Sequence, residues 1–222
     1  LVHMNKDTIL LKAILFVLLL AMLWGNAVAL KIGFLEFMPL ASAGLRFSTA
    51  ALLIIVWAYP NRISLWPEPH ERFSLLLLGL LFALQIICFN LGTDLTRAGR
   101  AAVMVNSYPI FTGFIAHFTV PGDRLKFWKG AGLAVAFGGI IMVFRDSLGD
   151  IHKDFLIGDF LTLSAGFQLG LLIVMTKRLV QNINPYRLIV SQMIVGIPIF
   201  YFLSMFFEGR AAYGFSYPAL LA

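Results

Sequence analysis

The residues from Phe73 to Gly92 read FSLLLLGLLFALQIICFNLG, a stretch of 20 residues without a charged side chain. A helix needs about 20 mainly apolar residues to cross the hydrocarbon core of a bilayer. The same character runs through all 222 residues, of which 60% are hydrophobic and 13% are charged. Soluble domains are about 45–50% apolar and about 25% charged. The sequence therefore predicts an integral membrane protein.

Six further apolar stretches lie on either side of this one. None of them alternates apolar and polar residues as membrane β-strands do, and the loops between them are short. We therefore expect an all-α integral membrane protein, folded as a polytopic helix bundle. The predicted spans are 13–30, 39–59, 73–92, 101–120, 128–144, 156–176 and 188–207.

The positive charge of the chain points to the membrane surface. The net charge is +6, but the 17 Lys and Arg residues are scattered through short loops, which is not the pattern of a nucleic-acid-binding surface. With a cytoplasmic N-terminus, ten of them lie inside, six lie outside and Arg46 lies within a span. We expect this orientation in a bacterial inner (plasma) membrane, with the lipid bilayer and a small-molecule substrate as partners. No nucleic-acid partner is expected, and a homodimer is left open.

A weak internal repeat occurs at an offset of 146 residues. It brings Lys31 onto Lys177, Pro39 onto Pro185, and Arg46 onto Gln192. Five predicted spans separate the two starts, and an odd number turns the second copy upside down. Inverted repeats of this kind build many secondary transporters, with the substrate site near the middle of the membrane.

The sequence resembles the EamA-like family of the drug/metabolite transporter superfamily in short motifs spread along the whole chain. In chain order, the motifs are Leu23-Trp24-Gly25-Asn26, Lys31, Pro39, Arg46-Phe47, Pro109, Gly122-Asp123-Arg124-Leu125, Gly130, Gly138-Gly139, Gly158-Asp159 and Ala165. The resemblance implies a transporter of small metabolites, built from ten helices as two inverted five-helix repeats.

On that template, residues 1–150 are the first repeat and residues 151–222 begin the second. About seven of the ten expected transmembrane helices are then present, and we expect three more after Ala222. The sequence departs from the family at Asp123, where glutamate is usual, and at Gln168, near a position that is often aromatic. Arg97 and Arg100 replace small or hydroxylated residues. The departures at Gln168, Arg97 and Arg100 bear on the substrate class more than on the fold.

Arg46 is the candidate for substrate contact. It lies seven residues after Pro39, so roughly 10 Å along its helix and about a third of the way through the membrane core. One interpretation is that Arg46 faces a cavity and binds a substrate carboxylate or phosphate. The other is that its side chain reaches toward the headgroups or toward carbonyls at another helix end. The sequence leaves both open.

A second candidate is the segment Asn106-Ser107-Tyr108-Pro109. Pro109 lacks a backbone donor near the middle of its span, so it predicts a helix kink. Irregular backbone at membrane depth is tolerated where protein or a wet cavity surrounds it. Asn106 and Tyr108 beside the kink are predicted to line the substrate pathway, although hydrogen bonds to neighbouring helices are the alternative.

The family resemblance also places Trp24 and Asn26 against the cavity, whereas a tryptophan near a span end is otherwise an interfacial anchor. Gln192 joins the candidates through the repeat. The weaker candidates, for which interhelical hydrogen bonding is an equal alternative, are Gln85, Asn90 and Gln168. The small residues Gly130, Ala134 and Gly138 are spaced by four. This spacing predicts close helix packing and no other role.

Other functions find less support. The chain has no His-Glu-x-x-His pattern, no Walker motif and no recognisable catalytic arrangement, so an enzyme is not expected, and neither is a cofactor or a metal site. A channel or a structural membrane protein without carrier activity remains the alternative, although no filter-like segment is evident.

Overall fold

The computed structural model describes residues 26–34, 37–120, 127–149 and 153–209. Within these ranges the regular structure is entirely helical, which confirms the all-α prediction. The helices are α1 Asn26–Gly33, α2 Pro39–Ala58, α3 Arg72–Leu95, α4 Ala98–Val105, α5 Tyr108–Thr119, α6 Phe127–Gly149, α7 Lys153–Leu179 and α8 Pro185–Phe207.

Five segments of the described chain are long and apolar enough to cross a membrane. They are Pro39–Ala58, Arg72–Leu95, Ala98–Thr119, Phe155–Leu179 and Pro185–Phe207. Each coincides with a predicted span, and α4 and α5 together make the third. The apolar part of α6 is shorter, Phe127–Met142. The first predicted span lies mostly outside the described residues.

Two helices begin at the prolines that the repeat aligns. Pro39 is the first residue of α2, and Pro185 is the first residue of α8. Proline suits this position because its fixed φ fits a helix and its missing N–H would have no intrahelical partner. At α8 the side chain of Asn184 adds a cap, since its Oδ1 accepts a hydrogen bond of 3.0 Å from the Tyr186 N–H.

The helices α2 and α8 run antiparallel. At one end, the Glu208 carboxylate accepts hydrogen bonds from the backbone N–H groups of Leu40, at 2.7 Å, and Ala41, at 3.0 Å. At the other end, the rings of Trp57 and Tyr186 have centroids 5.2 Å apart. The negative charge of Glu208 also complements the positive end of the α2 dipole. The C-terminal end of α8 therefore holds the N-terminal end of α2.

The most extensive helix contact joins α3 and α7, and small residues bring the two backbones together. A Cβ atom on Gly92 would lie 2.8 Å from the carbonyl oxygen of Gly158 and 2.7 Å from the side chain of Thr162. A Cβ atom on Gly158 would lie 2.8 Å from the backbone nitrogen of Thr96. Only glycine permits so close an approach at these two positions.

A buried ion pair lies at the same end of α3 and α7. Arg100 donates to Oδ2 of Asp159 from Nη2, at 2.7 Å, and from Nε, at 3.2 Å. The hydroxyl of Thr96 donates to the other oxygen of Asp159 at 2.6 Å, and Asp159 is fully buried. From the sequence, Arg100 stood out only as a departure from the family, and Asp159 only as part of a family motif. The structure makes it part of the joint between α4 and α7.

The apolar core lies between α2, α3, α7 and α8. Phe82 of α3 contacts two rings there: its centroid is 5.0 Å from that of Phe47 and 6.4 Å from that of Phe200. A Cβ atom on Gly79 would lie 2.6 Å from the Cβ of Val195, so α3 and α8 also approach closely. These four helices form the packed centre of the described chain.

The helix α6 lies apart from this centre. Most of its side chains are exposed, and a Cβ atom on Gly130 or Gly138 would meet no described atom within 4 Å. The prediction that Gly130, Ala134 and Gly138 serve close packing is therefore wrong for the described part of the chain. Spacing by four puts small residues on one helix face, but it does not supply a partner for that face.

The ion pair leads to the first prediction. Asp159→Asn should lower the free energy of unfolding by about 3–5 kcal/mol, because it removes the buried carboxylate that bonds to the Arg100 guanidinium. Arg100→Met should have a comparable effect, since it leaves the buried carboxylate without its guanidinium. Unfolding in detergent, followed by circular dichroism, measures both values.

The double variant Arg100→Met/Asp159→Asn is the control. It should cost clearly less than the two single changes together, because both charges of the pair are then removed. Strictly additive costs would show that the pair contributes no coupling energy, and would contradict this interpretation.

Candidate functional site

Arg46 lies on α2 and is half-buried, directly before a core residue. Its guanidinium carbon is 4.9 Å from the centroid of the Phe47 ring, within the range of a cation–π contact. No residue of the described chain gives Arg46 a hydrogen bond or an ion pair. The guanidinium therefore has one aromatic contact, and no described anion offsets its charge.

Hydroxyl groups from two helices lie close to this arginine along α2. The hydroxyls of Ser48 and Tyr201 are 3.3 Å apart and share a hydrogen bond. A Cβ atom on Gly44 would lie 3.0 Å from the Tyr201 ring, so α8 approaches the α2 backbone at this level. Tyr201 could not be recognised from the sequence, because a tyrosine within an apolar run carries no signal of its own.

Gln192 is half-buried on α8, but it does not lie at the level of Arg46. Tyr201 marks that level on α8, and Gln192 precedes it by nine residues, which is roughly 13 Å along a helix. The antiparallel arrangement therefore places Arg46 and Gln192 toward opposite surfaces of the membrane. Whether either residue contacts a substrate stays a prediction.

The structure interrupts this span just before Pro109, where the kink is predicted. The helix is interrupted at Asn106 and Ser107, and Pro109 is the second residue of the helix that follows. The Asn106 side chain donates to the carbonyl of Ala102 at 2.7 Å, and the Ser107 hydroxyl donates to that of Met104 at 2.6 Å. Both side chains thus bond to the preceding turn of their own helix, and such bonds compete with the helical pattern.

The helix α7 supports the interruption. A Cβ atom on Gly166 would lie 2.8 Å from the Ser107 hydroxyl and 3.0 Å from the Met104 carbonyl oxygen. A Cβ atom on Gly170 would lie 3.1 Å from the Tyr108 carbonyl oxygen. Irregular backbone at membrane depth is therefore covered by protein on this side, as the bilayer requires.

The two pathway candidates beside the kink have different surroundings. Tyr108 and Pro109 line a cavity of about 490 Å³ between α5 and α6, which the side chain of Ile173 on α7 also borders. Asn106 is exposed and does not line this cavity. The structure therefore does not bring Asn106 and Tyr108 together in one pocket.

Two of the weaker candidates form interhelical contacts. Asn90 is fully buried, and its amide donates to the Pro39 carbonyl of α2 at 2.8 Å. The amide of Gln168 donates to Ser164 at 3.0 Å and lies 3.6 Å from the Cys88 sulfur of α3. The remaining oxygen of each amide, Asn90 Oδ1 and Gln168 Oε1, has no hydrogen-bond partner in the described chain.

Trp24 lies outside the described residues. Asn26 is the first residue of α1, and its side chain is outside what the structure describes.

A group of charged residues joins α8 to the segment between α2 and α3. Nη1 of Arg187 lies 2.7 Å from a Glu68 oxygen and 3.0 Å from a Glu71 oxygen, and Nε donates to the Ser64 carbonyl at 3.2 Å. The hydrogen bond from Arg187 lowers the pKa of Glu68, an exposed residue outside the spans. Ligand atoms of Glu68, His70 and Glu71 lie within 4.8 Å of one another, but the Arg187 guanidinium already bonds to both carboxylates.

Comparison with known proteins agrees with this architecture. Residues 11–145 match the model of the EamA-like transporter family. An uncharacterized transporter of Bacillus subtilis, YoaV, is 24% identical over 95% of this chain and 73% of its own length. No solved structure matches.

Two further relatives carry functional names. A protein of Escherichia coli named "probable amino-acid metabolite efflux pump" is 28% identical over 87% of this chain. A protein of the same name from Salmonella typhimurium is 30% identical over 86% of this chain. The matched segments make up 64% and 63% of those two relatives. The family and these relatives are named as transporters or efflux pumps, not as enzymes, and the chain belongs to the EamA-like transporter family.

Proposed function

We propose that this protein is a secondary transporter that moves small anionic metabolites, amino-acid metabolites among them, across the plasma membrane by alternating access. The observation that carries the proposal is Arg46, a guanidinium inside a membrane span that has no carboxylate partner in the described chain. Its charge and its planar donors suit a carboxylate or phosphate ligand.

Magnitudes favour a ligand for Arg46. An arginine at the centre of a membrane helix costs about 2.5–3.5 kcal/mol on insertion scales. The cation–π contact with Phe47 contributes about 0.5–1 kcal/mol at an exposed site and about 2 kcal/mol when desolvated. Arg46 lies off the centre, where the cost is smaller, and the contact offsets part of it. Headgroups that the side chain reaches, water in a cavity or an anion would offset the remainder. We propose that a substrate carboxylate is that anion.

The names of two relatives support the substrate class and suggest a direction. Both are named as amino-acid metabolite efflux pumps. An amino acid carries a carboxylate, which is the group that Arg46 is suited to bind. Because both names specify efflux, export is the direction that we propose. The matched segments make up 64% and 63% of the two relatives, so substrate and direction are proposals for this chain.

We also propose that residues 1–150 form one repeat and that residues 151–222 begin an inverted second repeat. The offset of 146 aligns Pro39 with Pro185, where α2 and α8 begin, and Gly33 with Leu179, where α1 and α7 end. The antiparallel packing of α2 on α8 agrees with an inversion. In this arrangement a substrate site between the repeats would be open to each side in turn.

The orientation of the chain is part of the proposal. Arg100 bonds to Asp159, and Glu208 bonds to the start of α2, all at one set of helix ends. Glu68 and Arg187 bond to each other at the opposite ends. This agrees with spans that alternate in direction. With the N-terminus in the cytoplasm, the end of α3 faces outward.

Cysteine labelling of intact cells tests the orientation. After Cys88→Ser removes the only cysteine, a membrane-impermeant maleimide should label Asp94→Cys at the end of α3. It should not label His70→Cys in the loop before α3 until the cells are opened. The reverse pattern would place the N-terminus outside.

The substrate site is tested at Arg46. Arg46→Gln should lower amino-acid transport by at least tenfold, which corresponds to about 1.4 kcal/mol of lost binding, while membrane insertion stays intact. Arg46→Lys should keep part of the activity, because it keeps the charge but loses the planar fork. Radiolabelled amino-acid flux in cells expressing equal amounts of each variant measures the effect.

Thr49→Ala is the matched control on the same helix. Thr49 is exposed, and within the described chain its hydroxyl bonds only to the Leu45 carbonyl of its own helix, at 2.9 Å. This variant should transport normally. Unchanged flux in Arg46→Gln would defeat the proposal that Arg46 contacts the substrate.

A further inference from the structure

The cavity between α5 and α6 has a lining that differs from that of a site for a small polar metabolite. Its walls are mostly apolar and come from α5 and α6, with a contribution from α7; they include Pro109, Ala116, Leu133 and Ile173. The Thr112 hydroxyl, which also lines it, already donates to the Tyr108 carbonyl at 2.8 Å. Sites for polar metabolites have several polar groups that converge on the ligand. This cavity offers little of that chemistry.

The length of the cavity matches one leaflet of a bilayer. Along α5 it extends from Tyr108 to Ala116, which is roughly 12 Å at 1.5 Å per residue. Half of a hydrocarbon core of about 30 Å is about 15 Å. Gly132 widens the cavity, since a Cβ atom there would meet no described atom within 4 Å. The space therefore accommodates a hydrocarbon chain that lies along the helices.

One end of the cavity lies at the start of α6, where residues typical of the membrane surface gather. Trp128, which lines the cavity, is 83% exposed, and its ring centroid is 5.6 Å from that of Phe127, which is 80% exposed. Such amphipathic rings collect at the headgroup level. Lys129 lines the same end, and the sequence places Arg124 and Lys126 just before it.

From these observations we propose that the cavity between α5 and α6 binds an anionic phospholipid, with an acyl chain along Pro109, Gly113 and Leu133 and the headgroup phosphate at Lys129. Basic pockets between membrane helices bind anionic headgroups in this way. The bound chain fills the gap left by α6, whose glycines have no close described neighbours. The lipid thus contacts the kinked segment on the side that faces α6.

The test uses phosphatidylglycerol that carries a photoactivatable group near the end of one acyl chain, with the purified protein in lipid nanodiscs. Irradiation should attach the lipid to peptides from α5 and the first half of α6. Unlabelled phosphatidylglycerol should compete about fivefold better than phosphatidylcholine, which is the preference expected from about one favourable lysine contact. Labelling spread evenly over all spans, or equal competition by the two lipids, would overturn the proposal.

Three variants separate the chain site from the headgroup site. Gly132→Leu fills the cavity and should lower labelling at α5 by at least tenfold. Lys129→Gln should leave labelling in place but abolish the preference for phosphatidylglycerol. Gly138→Leu is the control, since it makes the same change on the same helix at a glycine that does not line the cavity, and it should label like the unchanged protein.

Each variant must keep the unchanged protein's circular dichroism and elution volume to be compared. If Gly132→Leu and Gly138→Leu label alike, the cavity is not the binding site. If soluble amino acids displace the lipid probe, the cavity belongs to the substrate pathway instead. The assay measures binding without transport, so its result does not depend on the proposed transport function.

Discussion

The described fold depends on the close approach of α3 and α7. Gly92 and Gly158 let the two backbones touch, and the buried carboxylate of Asp159 lies where they meet. Inside a bilayer, apolar side chains gain little by packing together, because lipid tails are equally apolar. Close backbone contact and satisfied polar groups must then hold the helices. Thr96 and Arg100 satisfy Asp159, and through Arg100 the kinked segment is tied to α7.

The remaining helices are arranged around this contact. The glycines of α7 continue along one face to Gly166 and Gly170. These two glycines contact the irregular backbone around Ser107. On the other side α8 packs against α3, and Glu208 at the end of α8 fixes the start of α2. The position of Arg46 follows from this chain of contacts, because α2 is held at its N-terminal end by Glu208 and by the Asn90 amide of α3.

Local features of the fold could be predicted from the sequence, whereas features that depend on distant residues could not. The spans and the starts of α2 and α8 follow from apolar runs and prolines, which act within a few residues. The kink before Pro109 was predicted, yet α8 continues through Pro198 without interruption. The difference lies in the preceding residues: Asn106 and Ser107 bond to their own backbone, while Gly196 and Ile197 have no side chain that can do so.

The same distinction applies to the candidate site. Arg46 is recognisable because a charge within an apolar run is conspicuous. The Arg100–Asp159 pair joins residues far apart in sequence, so neither residue signals the other. Similarly, the repeat relates Arg46 to Gln192 in sequence, but inversion separates them in space. A pattern of small residues predicts a smooth helix face, and it cannot say whether protein or lipid covers that face, as α6 shows.

The proposed carrier mechanism is tested most directly by counterflow in membrane vesicles that contain the protein. Vesicles are loaded with an unlabelled amino acid, and entry of the labelled amino acid is followed over a range of outside concentrations. A carrier with alternating access predicts flux that saturates and that is accelerated by the amino acid inside. Flux that rises linearly with concentration and ignores the inside amino acid would contradict a carrier and indicate a channel.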